Sequence, residues 1–262
     1  MQTQAIIKHI YNWMYNYAKT ANSKGFVVGI SGGIDSAVTS TLAAKTGLPL
    51  LCIEMPIHQE NKQVSRAQEH ISWLKKNYSN VSSIDVELTN VFERFIDAIP
   101  KLEDSENRLR SLVNTRARLR MTTLYYFAQL HNYLVAGTGN KVEDFGIGFY
   151  TKYGDGGVDL SPIADLMKTE VFSLGKELSV CKSILEAPPT DGLWYDNRTD
   201  EEQIGATYPE LEWAMSFEGD KKNLTNRERE VLGIYHSFHQ ANKHKMTPIP
   251  VCEIPKEFMQ TI

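Results

Sequence analysis

The sequence predicts an α/β fold in which an open parallel sheet is covered by helices on both faces. Short continuous apolar runs, typical of strands buried on both sides, alternate with amphipathic helical segments in the first half of the chain. A glycine-rich turn joins the first of these strands to the helix that follows it. Strands that alternate with helices imply right-handed crossovers and therefore parallel strands.

Periodicity justifies each element of this first half. Apolar residues recur at helical spacing in four segments, so we predict helices over residues 3–20, 36–46, 61–77 and 107–131. Four short apolar runs lie between these segments, so we predict strands over residues 26–30, 50–55, 82–88 and 134–137.

The pattern changes after residue 145. Six residues of segment 145–165 are glycine or proline, which is typical of a loop. Helices are predicted over residues 168–178, 207–217 and 225–242, and residues 183–203 are expected to be irregular. No clean linker divides the chain, so we expect one domain over residues 1–262, with a helical C-terminal extension.

Composition excludes several classes of protein. The net charge is −4, so the surface as a whole is not built for nucleic acid, and no run of about 18 apolar residues predicts a membrane span. The three cysteines are widely spaced and form no CxxC pair, which favours free thiols in a reducing compartment. Because the N-terminus also lacks the features of a leader sequence, we expect a cytoplasmic protein.

The turn after the first predicted strand reads Ser31-Gly32-Gly33-Ile34-Asp35-Ser36. Glycines let the backbone turn tightly, and the amides of such a turn, together with the N-terminus of the next helix, form a cradle for phosphate. Asp35 would repel a phosphate unless a cation lies between them, and Mg²⁺ is the natural mediator. The alternative is a simple glycine-rich turn with a capping aspartate.

This hexapeptide resembles the ATP loop of the N-type ATP pyrophosphatases, which cleave ATP between the α and β phosphates. Other segments resemble the ammonia-dependent NAD synthetase family within that group, in order and over most of the chain. Thr151-Lys152-Tyr153-Gly154-Asp155-Gly156-Gly157 is the most specific of them. The matching segments are residues 114–121, 137–144, 149–159, 189–194 and 244–245.

The resemblance implies a Rossmann-like fold of the adenine nucleotide α hydrolase type and the last step of NAD biosynthesis. In that reaction deamido-NAD, ATP and ammonia give NAD, AMP and pyrophosphate through an acyl-adenylate. The resemblance also implies a homodimer and Mg²⁺. At 262 residues we expect no glutaminase domain, so free ammonia, or a separate source of ammonia, is the expected nitrogen donor. We expect no covalent intermediate on the enzyme, because positioning and charge stabilisation carry such reactions.

The same resemblance implies roles for individual residues in binding ATP and metal. It assigns ATP binding to Gly29, Ile30, Ser31, Gly32, Gly33, Ile34, Asp35, Ser36, Thr138, Lys168 and Thr190. Asp35, a catalytic residue in this assignment, and Glu143 are the implied metal ligands. The chain carries one extra residue between Glu143 and Lys152 compared with shorter relatives, so Asp144 is an alternative metal ligand. For Lys168 the alternative is a solvated residue at a helix start, and for either acid a helix cap.

Deamido-NAD binding is implied for Arg118, Lys152, Asp159, His244 and Lys245, and Asp159 is also an expected catalytic residue that orients or deprotonates ammonium. Five arginines and no acid lie between residues 107 and 120. The absence of acidic partners favours an anionic ligand or a partner subunit over a solvated face. Residues 193–230 hold ten acidic and five basic residues, and we expect this segment and the loop at 101–106 to close over the site.

Three other interpretations of the sequence are disfavoured. A different ATP pyrophosphatase, such as a tRNA-thiolating or GMP-forming enzyme, is disfavoured by the negative charge and the unpaired cysteines. A nucleotide sensor without turnover is disfavoured by the presence of Asp35 and Glu143. A metal site at His236, His239 and His244 is disfavoured because no cysteine or acid is correctly spaced to complete it.

Overall fold

The computed structural model describes residues 1–59, 61–100, 105–190, 192 and 198–259. Four parallel strands form one open sheet in the order β3-β2-β1-β4. The strands are β1 (Gly25–Gly29), β2 (Leu50–Glu54), β3 (Val81–Asp85) and β4 (Tyr133–Val135). The predicted parallel α/β fold is confirmed, and all four strands fall within a few residues of their predicted positions.

Helices precede and connect the strands. They are α1 (Thr3–Thr20), α2 (Ile34–Lys45), α3 (Asn61–Asn77), α4 (Thr89–Ala98) and α5 (Glu106–His131). Four of these five were predicted. The exception is α4, whose short apolar stripe places Phe92 in the core and leaves Val91 and Phe95 exposed.

The sheet is buried on both faces, as the continuous apolar runs of its central strands predict. In β1, Phe26 and Val28 pack into a core with α1, α2 and apolar residues of the second half of the chain, whereas Val27 packs on the other face against residues of α4 and α5. Each central strand therefore contributes to both cores, and the carboxyl ends of β1 and β4 lie side by side at one edge of the sheet.

The second half is mainly helical, in agreement with the predicted C-terminal extension. Its helices are α6 (Lys168–Glu177), α7 (Lys182–Leu185), α8 (Asp200–Ile204), α9 (Tyr208–Ser216) and α10 (Asn226–Met246). Two of them, α7 and α8, lie where irregular chain was predicted. A π-helix over Val142–Ile147 begins before the segment predicted as a loop and extends into it. This π-helix packs with α8, α9 and α10 around a separate core.

Other expectations are answered only in part. Among the described residues no helix is both long enough and apolar enough to cross a membrane. Cys52, Cys181 and Cys252 are all free thiols, as their spacing predicts, and Cys52 is buried. Two stretches of the expected closing segments, residues 101–104 and 193–197, lie outside the described residues, as do Asp191, Leu193 and Trp194 of the segment 189–194.

Candidate active site

The phosphate loop lies between the end of β1 and the start of α2. Gly32 has φ +79°, and a Cβ on it would lie 2.5 Å from the carbonyl oxygen of Gln63, so this position requires glycine. Gly33 has an ordinary extended backbone and forms the N-cap of α2 without a capping side chain. The first amides of α2 are therefore available to an anion.

Side chains brace this loop from inside and outside. The Ser31 amide donates to Ser36 Oγ at 3.3 Å, and the Gly33 amide donates to Ser31 Oγ at 3.2 Å. From α3, Arg66 Nε donates to the carbonyl oxygen of Gly32 at 3.1 Å. Two amides of the predicted cradle are thus bonded to serine hydroxyls, which leaves the remaining amides and the helix N-terminus for an anion.

Beside the loop, one lysine joins the two carboxylates that were predicted as metal ligands. Lys168 Nζ donates to Asp35 Oδ2 at 2.5 Å and to Glu143 Oε1 at 2.9 Å. Lys168 is only 3% exposed, which contradicts its alternative interpretation as a solvated residue. Asp35 follows β1 and Glu143 follows β4, and these strands are neighbours in the sheet.

The pKa values of this cluster reflect burial and mutual charge. Burial disfavours the ammonium of Lys168, but Asp35 and Glu143 outweigh burial and raise its pKa. Burial raises the pKa of Asp35 despite the opposing effect of Lys168. Burial also disfavours the charge of Glu143, yet Lys168 and the Tyr208 hydroxyl together hold the pKa of this carboxyl below its usual value.

Three further polar residues complete the cluster, and sequence reasoning assigned none of them a role. Asn140 Nδ2 donates to Asp35 Oδ1 at 3.2 Å, while its Oδ1 accepts from the amide of Glu143. Tyr208 lies against Glu143, and the buried carboxylate of Asp200 lies 3.2 Å from the Tyr208 hydroxyl. Asn140 falls within the matched segment 137–144, but no sequence signal places Tyr208 or Asp200 at the site.

The donor set of this cluster fits a divalent cation. Asp35 and Glu143 share the ammonium of Lys168, so full ionisation of the two carboxylates leaves one negative charge that this ammonium does not neutralise. Mg²⁺ is bound through one or two carboxylates together with substrate phosphates, and Asp35 and Glu143 supply such a pair next to the loop. Within the described residues, no group of three His, Cys, Asp or Glu side chains forms a metal site of protein ligands alone.

A cavity of about 640 Å³ opens above the loop and this cluster. All eleven residues implied in ATP binding line it, including Thr138, Lys168 and Thr190. Thr190 also donates its hydroxyl to the carbonyl oxygen of Arg198 at 3.2 Å. The cavity therefore brings together the residues that the resemblance assigns to ATP.

A second group of acids lies along the cavity from Glu143. The carboxylate of Asp144 packs against Gly139, where a Cβ would lie 2.2 Å from Oδ1. Burial and the charges of Glu143, Asp155 and Asp35 raise the pKa of Asp144 to about 8, and burial raises that of Asp155 to about 6. Glu143 therefore contacts Lys168 whereas Asp144 packs against Gly139, and the choice between them as metal ligand stays a prediction.

The residues implied in deamido-NAD binding do not all reach this cavity. Lys245 lines it and donates to the carbonyl oxygens of Gly148 and Tyr150 at 2.5 and 2.7 Å. Arg118, Lys152 and His244 are not among the lining residues. They form an exposed chain in which Arg118 donates to the Lys152 carbonyl at 3.4 Å and Lys152 Nζ to the His244 carbonyl at 3.0 Å.

Asp159 also lies away from the cavity lining. Its Oδ1 accepts from the Tyr125 hydroxyl at 3.0 Å, and its Oδ2 accepts from the Val135 amide at 2.8 Å. Both oxygens therefore join α5 to the end of β4. Within one chain this arrangement gives Asp159 a structural contact, and its expected catalytic role stays a prediction.

The arginine run of α5 divides between the core, the cavity and the surface. Arg116 is 2% exposed, with its guanidinium carbon 5.0 Å from the Phe92 ring centroid. Arg110 and Arg120 line the cavity; Arg110 pairs with Glu106 at 2.5 Å, and Arg120 Nε donates to the Met55 carbonyl at 3.0 Å. The run is therefore not one continuous anion-binding face.

The two other histidines near the C-terminus have local contacts. His239 Nδ1 lies 2.7 Å from the carbonyl oxygen of Gly146, and its ring stacks on Tyr235. His236 meets Tyr235 edge-on.

Comparison with known proteins finds similarity over most of the chain. The sequence profile described as NAD synthase matches residues 6–248. The NH(3)-dependent NAD(+) synthetase of Mesoplasma florum is 37% identical over 260 residues, which cover 98% of this chain and 99% of that protein.

Two solved structures extend the comparison to the fold. The NMN synthetase of Francisella tularensis superposes with a TM-score of 0.86 at 32% identity and covers 97% of this chain and 100% of its own. The NH3-dependent NAD synthetase of Campylobacter jejuni, solved in complex with the nitrate ion, gives 0.76 at 27% identity with the same coverage.

Proposed function

The chain belongs to the NAD synthase family, and we propose that it amidates deamido-NAD with ammonia at the cavity above the phosphate loop. The reaction consumes ATP and gives NAD, AMP and pyrophosphate. The observation that carries the assignment to this cavity is the Lys168 contact with both Asp35 and Glu143 beside a glycine loop at a helix N-terminus.

The proposed route begins with activation of a poor acyl donor. An oxygen of the nicotinate carboxylate attacks the α-phosphorus of ATP, the bond to the bridging oxygen breaks, and pyrophosphate leaves. Ammonia then attacks the carbonyl carbon, the nitrogen loses a proton, and AMP departs with one of the original carboxylate oxygens. No step requires a nucleophile from the protein.

The residues of the loop and the cluster stabilise this first step. Loop amides and the N-terminus of α2 bind the departing pyrophosphate, and Lys168 supplies a point charge beside it. Asp35 and Glu143 would hold Mg²⁺, which neutralises phosphate charge when it is bound. Thr138 and Thr190 line the same cavity, and we assign them to the rest of ATP.

The second substrate requires residues outside this cavity. We assign deamido-NAD to Lys245 within the cavity and to Arg118, Lys152, Asp159 and His244 beyond its lining. A homodimer that brings such residues of one subunit to the cavity of the other would unite them, and we include that assembly in the proposal. We also propose that residues 1–262 act as one domain with ammonia as the nitrogen donor, and the free thiols fit a cytoplasmic setting.

Isotope transfer tests the chemistry directly. The protein is incubated with ATP, Mg²⁺, ammonium and deamido-NAD whose carboxylate carries ¹⁸O. We expect NAD, AMP and pyrophosphate in equal amounts and one ¹⁸O atom in the AMP phosphate. If NAD forms while the ¹⁸O appears in pyrophosphate, or if ADP is released in place of AMP, the acyl-adenylate route is contradicted.

A second candidate substrate is the corresponding mononucleotide. The Francisella tularensis structure that superposes at a TM-score of 0.86 is an NMN synthetase, and a chain that forms NMN would amidate nicotinate mononucleotide. Arg118, Lys152 and His244 lie outside the cavity lining. The adenylate half, which distinguishes deamido-NAD from the mononucleotide, would then need contacts outside the cavity. Competition between the two acceptors in one reaction decides the preference from the ratio of NAD to NMN.

A further inference from the structure

Helix α9 carries two polar side chains one turn apart that face the start of α6. The helix begins at a capping box in which Thr207 Oγ1 accepts from the Glu210 amide, and Glu210 accepts from the Thr207 amide at 2.8 Å. This cap fixes the first turn of α9. Tyr208 and Glu212 are four positions apart, so they share one face of the helix.

Tyr208 contacts both Glu143 and Lys168 of the cluster. Its hydroxyl donates to Glu143 Oε1 at 2.5 Å, and Lys168 Nζ lies 4.7 Å from the centre of its ring. The residue is 3% exposed, so it makes these contacts away from water. Lys168 donates to the same oxygen, Oε1, and neither group therefore occupies Oε2 of Glu143.

Glu212 holds the backbone beside Lys168. Its Oε1 accepts from the amide of Thr169 at 2.9 Å, and its Oε2 accepts from the Thr169 hydroxyl at 2.7 Å. An amide in the first turn of a helix has no partner within the helix, and a carboxylate there also interacts favourably with the helix dipole. Glu212 thus stabilises the first turn of α6, where Lys168 is the first residue.

An ammonium group has three N–H donors. Two N–H donors of Lys168 bind Asp35 and Glu143, and the Tyr208 ring lies against the same ammonium. The remaining donor is available to a phosphate in the cavity that Lys168 lines. A lysine held in this way loses little side-chain freedom when ATP binds, and a fixed donor is the basis of electrostatic preorganisation.

We propose that Tyr208 and Glu212 are positioning residues that orient Glu143 and Lys168 toward the phosphates of ATP and their divalent cation. The inference rests on the proposed function and adds two residues that act through others. Tyr208 fixes the carboxylate of Glu143 by its hydroxyl and the side chain of Lys168 by its ring, and Glu212 fixes the main chain that carries Lys168.

The substitution Tyr208→Phe removes the hydroxyl and keeps the ring. A hydrogen bond to a charged group corresponds to about a 10-fold effect or more. We expect kcat to fall about 10-fold, the Mg²⁺ concentration for half-maximal rate to rise by a similar factor, and KM for deamido-NAD to stay within about twofold. Tyr208→Leu, which also removes the ring, loses more.

A binding measurement that does not depend on turnover complements these kinetics. Calorimetric titration of Mg²⁺ into each variant saturated with ATP measures cation binding without the acceptor. Tyr208→Phe should weaken that binding about as much as it raises the kinetic requirement for Mg²⁺. For Glu212, replacement by Gln keeps hydrogen-bond capacity and should retain most of kcat, whereas replacement by Ala should not, so partial rescue by the amide identifies the contact with Thr169.

Tyr235→Phe is the matched control, because Tyr235 is a buried tyrosine of the same small core and does not line the cavity. We expect its kinetics and Mg²⁺ binding to match those of the parent protein. Parent-like Mg²⁺ binding and kcat in a folded Tyr208→Phe protein, or equal losses of activity and melting temperature in both variants, would overturn the inference. A parent protein that makes no NAD would refute the proposed function instead, and the Mg²⁺ titration would still test Tyr208.

Discussion

The ammonium nitrogen of Lys168 lies 2.5 Å from Oδ2 of Asp35, although the two residues are 133 positions apart in the sequence. Asp35 belongs to the helix that follows the phosphate loop, and Lys168 is the first residue of α6. Their contact joins the two halves of the chain at the site. It also makes the lysine serve both folding and chemistry, and these two roles can be separated.

Lys168→Met should lower both activity and stability. Without the lysine, two buried carboxylates lose their cation, which costs about 3 kcal/mol for a broken buried pair. Loss of a positioned charge on the phosphates should lower kcat by about 100-fold or more. Adding Asp35→Asn removes one of the uncompensated charges, so urea unfolding should show recovered stability without recovered turnover. A double variant less stable than Lys168→Met would contradict this account.

The two glycines of the phosphate loop should respond differently to alanine. Gly32→Ala places a Cβ at a positive φ and against the carbonyl oxygen of Gln63, so we expect a loss of about 2 kcal/mol or more and weak ATP binding. Gly33→Ala meets only Ser31 Oγ, at 3.3 Å, and should change the free energy of unfolding by less than about 1 kcal/mol. Thermal unfolding of the two variants side by side checks the contrast, which equal losses would refute.

Much of this site was predictable because of the sheet. Ligand-binding residues of open parallel sheets follow the carboxyl ends of strands. Asp35 comes after β1 and Glu143, which the resemblance implied, comes after β4; these strands pair directly, so the sheet brings both carboxylates to one edge. The glycine loop is likewise local information. Lys168 came from resemblance, because no local pattern distinguishes it from a solvated lysine at a helix start.

Other features depend on tertiary packing that no local pattern encodes. The sequence around Tyr208 predicts only a helix, and the packing of α9 against the π-helix brings this residue to the site. Similarly, Arg116 is buried whereas Arg118, two positions further along the same helix, is exposed. Gly146 and Gly148 predicted a loop, but the backbone before Gly148 winds into a π-helix. This π-helix covers Val142–Ile147, and the extra residue between Glu143 and Lys152 relative to shorter relatives stays a prediction.

Glu143 and Asp144 can be distinguished by amide substitutions. Glu143→Gln weakens the contacts with Lys168 and Tyr208 and removes a metal-ligand charge, so Mg²⁺-dependent turnover should fall about 100-fold or more with the fold intact. Asp144→Asn leaves those contacts in place and should lower kcat by less than about 10-fold. Normal turnover in Glu143→Gln with a large loss in Asp144→Asn would transfer the metal role to Asp144.

Acid should destabilise the protein through His70, which is fully buried with its Nε2 2.9 Å from Ser40 Oγ. Burial lowers the pKa of His70 from 6.5 to about 4. The unfolded chain therefore binds a proton first as pH falls, and stability is lost between pH 6.5 and about 4. The full effect of this group is about 3 kcal/mol.

Urea unfolding across that pH range should show a smaller loss of stability in His70→Gln than in the parent protein, because the variant lacks the titrating group. Other acids titrate in both proteins, so the difference between the two curves isolates His70. Parallel curves would show that this histidine does not cause the acid sensitivity.

Subunit complementation tests whether each site is shared between two copies. Lys168 belongs to the cavity, whereas Arg118 is exposed on α5 and not among the lining residues. If Arg118 serves the cavity of the partner, Lys168→Met and Arg118→Ala are each inactive alone, but a mixed dimer contains one site with both residues intact. Random exchange makes about half of the dimers mixed, so activity should return to about a quarter of the parent value. No recovery after verified exchange would place both residues in the site of a single chain.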